Sequence, residues 1–160
     1  VALVMVDGNG LKTINDSVGH KYGDLFVKMW ADQLTKNLRQ GDGDIFFQYA
    51  SGDELAGMLP FDTEEVASKV LLGQDEVSGR LNSIKNDIRS SRDHMASKIE
   101  GFPVSDAKEY GTLAIGWSWS SNNQLLQLFT DSKGDIDKMI GEMYLQASKN
   151  MERDKGNNAR

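Results

Sequence analysis

Three acidic residues in two separated segments have the setting of a cation site. Asp7 closes the apolar run Val1 to Val6, and Asp53 and Glu54 lie in Ser51-Gly52-Asp53-Glu54 between two β-rich runs. Strand ends and hairpin tips are where side chains leave the core, so these carboxyls can converge on Mg²⁺, which takes one or two carboxylates and completes its shell with phosphate oxygens and water. Gly8-Asn9-Gly10 allows a tight loop whose N–H groups face an anion, and Lys12 adds a positive charge. The chemistry such a set suits is nucleotidyl transfer. A hydroxyl must be activated, charge on an α-phosphate stabilised and a departing pyrophosphate neutralised, and a two-metal site with a nearby Lys supplies all three.

Taken singly, each residue has an ordinary explanation. A lone Asp at a strand end is a turn residue or cap, Ser-Gly-Asp-Glu is an unremarked hairpin turn, His20 is a surface histidine, and Asn15-Asp16 is an Asx turn. Composition narrows the chemistry. The chain has 160 residues, 39% of them hydrophobic and 26% charged, which suits one core. It has no cysteine, so any metal sits on oxygen or imidazole, and the absence of thiols fits a reducing, cytoplasmic setting. A net charge of −6 disfavours binding to nucleic acid polymers, which rests on Lys and Arg neutralising phosphates. A small phosphorylated ligand would need a bridging cation. No apolar run is long enough to cross a bilayer, so no membrane contact is expected. Val1 already lies inside an apolar run with no initiator Met before it. Residues 1–160 therefore read as a single domain cut from a longer protein, with a sensory domain or signalling helix expected upstream.

The elements that would position these residues follow from periodicity. Val1 to Val6 reads as a strand covered on both faces. After the Gly/Asn turn, a helix is predicted from Asp24, with Val27, Ala31, Leu34 and Leu38 as its apolar stripe, ending at Gly41-Asp42-Gly43. Ile45 to Tyr49 and Leu55 to Leu59 form a β-hairpin around the acidic turn. Asp62 and Thr63 cap a helix bearing Val66, Val70 and Leu71, interrupted by Gly73. Val77, Leu81, Ile84, Ile88, Met95 and Ile99 then continue helical spacing, as one long amphipathic helix or two shorter ones. Thr112 to Ser120 alternates as a strand with Leu113, Ile115, Trp117 and Trp119 on one face. Ile136 to Met151 traces a last helical stripe. This order predicts an α/β (α+β) fold, a ferredoxin-like mixed sheet of about five strands covered by helices, with the acidic hairpin at its edge.

Asp7 to Asp24 resembles the diguanylate cyclase (GGDEF) family pattern D-x-(D/N)-x-(F/L)-K-x-I-N-D-x-x-G-H-x-x-G-D. Ser51-Gly52-Asp53-Glu54-Leu55 resembles that family's signature with Ser for its first Gly and Leu for its Phe. Ala114-Ile115-Gly116 is similar to the family's S-I-G strand, and Lys149 and Arg153 keep the four-residue spacing of its C-terminal Lys and Arg, with Tyr144 out of register. The resemblance implies a nucleotide-cyclase-like fold and an enzyme that condenses two GTP into cyclic di-GMP and two pyrophosphates at a homodimer interface. It implies two Mg²⁺ or Mn²⁺ ions per GTP, held by Asp7, the Gly8 backbone carbonyl, Asp53 and Glu54. Asp53 is implied as the acceptor of the 3′-hydroxyl proton, Glu54 as its support and Lys12 as the phosphate-stabilising cation. Asn15, His20, Asp24, Lys149 and Arg153 match substrate-binding positions, Asn15 and Asp24 reading the guanine edge.

Several departures bear on activity. Ser51 stands where the family has Gly, Gln48 and Tyr49 stand where it has an Arg, and Arg39 and Asp42 form an R-x-x-D with eight residues between Asp42 and Ser51 where the family's product-inhibition pair has five. Two alternatives therefore stand beside the cyclase: a degenerate module that binds GTP or cyclic di-GMP without turnover, and a related cyclase with another product.

Overall fold

The computed structural model describes residues 1–39, 41–48, 53–74, 78–104 and 109–158, without the side chains of 136, 137 and 151–158. Ser51, Gly52, Tyr49 and Val77 thus lie outside the described residues, as does the side chain of Arg153. The order is β1 (Ala2–Gly8), α1 (Leu11–Val18), α2 (His20–Lys36), β2 (Ile45–Gln48), β3 (Glu54–Leu59), α3 (Glu64–Leu72), α4 (Arg80–Ala96), β4 (Leu113–Trp119), α5 (Asn122–Asp131) and α6 (Ile136–Asn158).

The described sheet has four strands in the order β2-β3-β1-β4, the ferredoxin-like arrangement, and every neighbouring pair is antiparallel. The expected sheet was mixed and one strand larger. Its actual pattern follows from the crossovers. The helical connection from β1 to β2 returns a strand parallel to β1 but one place removed, and β3 fills the gap running the other way. The connection from β3 to β4 does the same around β1.

Helices cover both faces, which is why β1 is apolar at successive positions rather than alternate ones. On one face Ala2, Val4 and Val6 pack with Ile14, Phe26, Trp30, Leu34, Leu71, Ile84 and Ile88. On the other, Leu3, Met5, Ala56 and Ala114 meet Met143 and Ala147 of α6, with Leu125 and Leu128 of α5 beside them. Fully burying each such aliphatic or aromatic side chain contributes about 1.5–3 kcal/mol before entropy is charged against it. Among the described residues no helix is long and apolar enough to cross a membrane.

The helices differ from expectation in part. Helical structure begins at Leu11, not Asp24, and is broken once at Gly19, whose φ of 92° turns the chain between α1 and α2. Leu11, Ile14 and Val18 form a short apolar stripe that the polar residues between them obscure, and Ile14 is fully buried. On α2 the buried positions are Gly23, Phe26, Met29, Trp30 and Leu34, so the stripe is rotated from the expected Val27, Ala31 and Leu38. Thr63 caps α3 by accepting from the Val66 N–H, and Gly73, at φ 85°, ends it. The following segment is one helix of 17 residues that stops before Ile99. Helix α5 was not expected; its capping box, in which Ser121 and Gln124 satisfy one another's backbone N–H groups, was readable as S-x-x-Q.

Candidate active site

The register of the central strands brings the two acidic segments together. Asp7 lies directly opposite Glu54 on β3 and opposite Ala114 on β4. Directly opposed residues project to the same face, and the parity with Leu3 and Met5 puts Asp7 and Glu54 on the face covered by α6, just past the last apolar layer. The neighbouring residues close the arrangement: the Gly8 N–H donates to the Asp53 carbonyl at 3.3 Å. Asp7, Asp53 and Glu54 are all half-buried. Among the described residues no three His, Cys, Asp or Glu side chains form a preformed metal cluster. This is an open acidic edge rather than a closed cage.

The loop after β1 behaves differently from the expected anion nest. Its first two N–H groups are used inside the fold, Gly8 on Asp53 and Asn9 on the Thr112 carbonyl at 2.9 Å. Gly10, at φ 72°, sits at the N-terminus of α1, which has no side-chain cap. The donors left for an anion are therefore those of the first helical turn, where the partial positive charge of the helix also lies. Lys12 is exposed on that turn.

Asn15 stands one turn further along the face of Lys12, and its side chain rests on Gly23 of α2. A Cβ at position 23 would overlap Asn15 Oδ1. That oxygen is buried and has no hydrogen-bond partner. Gly23 immediately precedes Asp24, so the α1–α2 corner brings Asn15 beside the backbone that carries Asp24. His20 and Asp24 are exposed one turn apart on α2. Lys149 is different. It is exposed on α6, an element separate from the two acidic segments. Its neighbour Asn150 anchors the helix by donating to the Trp117 carbonyl at 2.6 Å.

The chain belongs to the diguanylate cyclase GGDEF domain family. The family model described as "Diguanylate cyclase, GGDEF domain" matches residues 1–127, which contain both acidic segments and β4. Among curated proteins, this GGDEF chain is 30% identical over 84 residues to a probable diguanylate cyclase, DgcJ, of Escherichia coli, and 36% identical over 69 residues to the diguanylate cyclase DgcP of Pseudomonas aeruginosa. Those matches cover 52% and 43% of this chain and 16% and 10% of the relatives, so the chain spans a small part of their length. Among solved structures it resembles a sensory box/GGDEF family protein of Caulobacter crescentus, with a TM-score of 0.55, 14% identity and coverage of 95% of this chain and 78% of that one. It also resembles the diguanylate cyclase SiaD of Pseudomonas aeruginosa, solved with its activator SiaC, at a TM-score of 0.50, 17% identity and coverage of 88% and 45%. At such identities the likeness speaks for the GGDEF fold.

The R-x-x-D pair of this GGDEF chain has another occupation. Arg39 donates to Asp44 through its side chain at 2.8 and 3.2 Å and through its backbone N–H at 3.0 Å, while Asp42 lies 3.7 Å away. Arg80 from the start of α4 also donates to Asp44 at 2.7 Å and to the Asn37 carbonyl. Burial alone would raise the Asp44 carboxyl; the hydrogen bonds from Arg39 and Arg80 outweigh it and hold its pKa below the ordinary value. The same bond to Asp44 raises the Arg39 pKa. Asp44 thus braces the α2–β2 connection against α4 through Arg80, with Arg39 as its second partner. Two cavities, of about 780 and 510 Å³, lie around Val1, Trp117 and Trp119, away from the Asp7 end of the sheet.

Sequence reasoning passed over Trp30 and the 109–112 segment. Trp30 donates to the Gly111 carbonyl at 2.9 Å, and the Gly111 N–H donates to the Asn9 carbonyl at 2.8 Å. The Asn9 side chain donates to Thr112 Oγ1 at 3.0 Å. The only available signal was an aromatic on the helix stripe, which reads as core.

Proposed function

We propose that this domain is a diguanylate cyclase that joins two GTP molecules into cyclic di-GMP with release of two pyrophosphates, in the cytoplasm and as a homodimer. The observation that carries the reading is the registration of Asp7 with Glu54, with Gly8 hydrogen-bonded to Asp53 beside them. It sets an oxygen-only donor group next to an uncapped helix N-terminus bearing Lys12.

The residues present fit Mg²⁺ or Mn²⁺. The donor set is hard and open, which suits ions that take one or two carboxylates and fill the remaining positions with phosphate oxygens and water. Asp7, Asp53, Glu54 and the Gly8 carbonyl would hold two such ions per GTP, and the ions would supply charge neutralisation on the triphosphate and acidify the attacking 3′-hydroxyl. Asp53 accepts the proton from that hydroxyl. Lys12 and the first-turn N–H groups of α1 take the charge that builds on the phosphate oxygens. Asn15 and Asp24 read guanine: a carboxylate accepts from N1–H and the 2-amino group, and an amide can donate to O6. His20 lies on the same side, and Lys149 and Arg153 are assigned to substrate binding from the resemblance. One subunit holds one GTP, so a cyclic, two-fold product calls for two subunits facing each other.

A second reading, a GGDEF module that binds nucleotide without turnover, is favoured by Ser51 in the signature. Incubation with GTP, ATP and Mg²⁺ followed by mass analysis separates the readings. Cyclic di-GMP as the main product supports the cyclase; bound GTP without product supports the module; another cyclic product supports a related cyclase.

A further inference from the structure

Gly8 is the last residue of β1 and sits between the two acidic positions. Its backbone does not need the left-handed region, so glycine is required there for another reason. A Cβ at Gly8 would stand within the Trp30 ring, against Cζ3 and Cη2, and 3.0 Å from the Cβ of Asp53. Trp30 has no exposed surface. The indole therefore fills the volume that a side chain at position 8 would have taken.

The same indole holds the loop a second way. Its Nε1–H donates to the Gly111 carbonyl, and Gly111 in turn donates to the Asn9 carbonyl, so Trp30 reaches the Gly8-Asn9 segment both by direct packing and through Gly111. The 109–112 segment is itself pinned: Arg92 of α4 donates to the Tyr110 carbonyl at 2.8 Å, and Thr112 Oγ1 donates to the Glu109 carbonyl at 2.7 Å. The Tyr110 ring lies where a Cβ at Gly10 would be. Backbone that must present a carbonyl and two flanking carboxylates to a cation is thereby fixed from α2, α4 and β4 at once.

We propose that Trp30 is a positioning residue for the cation and phosphate loop, matched to Gly8 as a complementary large-and-small pair and tied to that loop through Gly111. The inference rests on the metal-dependent nucleotide reading above. Trp30 acts through Gly8 and Asn9 and touches neither nucleotide nor cation. Residues that orient metal ligands in this way commonly change cation affinity about 10–100-fold when altered.

The test compares Gly8→Ala, Trp30→Phe, the double variant and Leu71→Ala, a core truncation on α3 outside this contact. Thermal melting reports the fold. Calorimetric titration of the whole chain with Mn²⁺ and a GTP analogue carrying a methylene between its α and β phosphorus atoms reports the half-saturating cation concentration. Gly8→Ala should raise that concentration about tenfold or more, because its methyl displaces the indole and the loop. Trp30→Phe, with a shorter ring and no N–H for Gly111, should also raise it. The double variant should recover most of the loss caused by Gly8→Ala, whereas Leu71→Ala should lower the melting temperature without moving cation affinity. The positioning role is overturned if Gly8→Ala binds like the parent, if the double variant is no better than Gly8→Ala, or if Leu71→Ala loses as much affinity. A parent chain that binds no nucleotide at any Mn²⁺ concentration sinks the nucleotide reading itself, and the positioning role falls with it.

Discussion

Asn15 Oδ1 is buried against the backbone of Gly23, with no hydrogen-bond donor, one residue before Asp24. An acceptor in that state costs about 1–3 kcal/mol unless a ligand or water serves it. Gly23→Ala should push the Asn15 side chain out of place and raise the GTP concentration for half-maximal rate about tenfold, with a smaller effect on the limiting rate. Steady-state kinetics with varied GTP reads this. An unchanged KM would detach Asn15 from the nucleotide.

Asp7→Asn and Asp53→Asn should each lower turnover about a hundredfold or more while leaving near-ultraviolet circular dichroism unchanged, since both side chains sit at the open edge rather than in the core. Glu54→Gln should be nearly as damaging. Turnover of either Asp variant at the parent rate under limiting Mg²⁺ would remove the metal assignment.

Asp44 makes stability depend on acid. Its folded pKa is lowered, so its contribution is fully present above the unfolded carboxylate value of about 4 and is lost as pH falls through the folded value. Urea midpoints should therefore decline below about pH 4 in the parent and more shallowly in Asp44→Asn. At neutral pH, Asp44→Ala should cost about 3 kcal/mol, because it leaves Arg80 and Arg39 without their shared carboxylate. Equal acid slopes in parent and Asp44→Asn would contradict the assignment.

The proposed pairing of subunits, each holding one GTP of a two-fold product, predicts that specific activity rises with protein concentration. A dilution series with light scattering checks it: specific activity that stays flat while the protein is monomeric would argue against paired subunits.

Base choice tests Asp24. Adenine in the guanine pose would set the carboxylate against an acceptor nitrogen, a loss on the order of 1–3 kcal/mol and more for a charged group, or about tenfold to several hundredfold in selectivity. Asp24→Ser should erode the preference for GTP over ATP and admit adenine-containing products, whereas Asp24→Ala should mainly raise the GTP required. Competition at equal nucleotide concentrations, with products resolved by mass, measures the ratio. A product ratio untouched by Asp24→Ser leaves guanine recognition elsewhere.

Much of this domain was legible from residue order alone. The apolar run ending at Asp7, the hairpin around Asp53 and Glu54, the alternation from Leu113 to Trp119 and the Thr63 cap are local patterns, written in neighbours two to four residues apart, and each became the expected kind of element. The pairing of Asp7 with Glu54 is not local. It depends on β3 entering the sheet between β1 and β2, a matter of crossover topology that periodicity does not encode. Short α1 was missed because only three of its eight residues face the core. The reason for Gly8 was beyond sequence altogether: a glycine after an aspartate looks like a turn, and only the packed structure shows an indole 22 positions away in the space it leaves. Local chemistry determined which residues could act. Long-range packing, in which one side chain's volume is set by another's absence, decided where they stand.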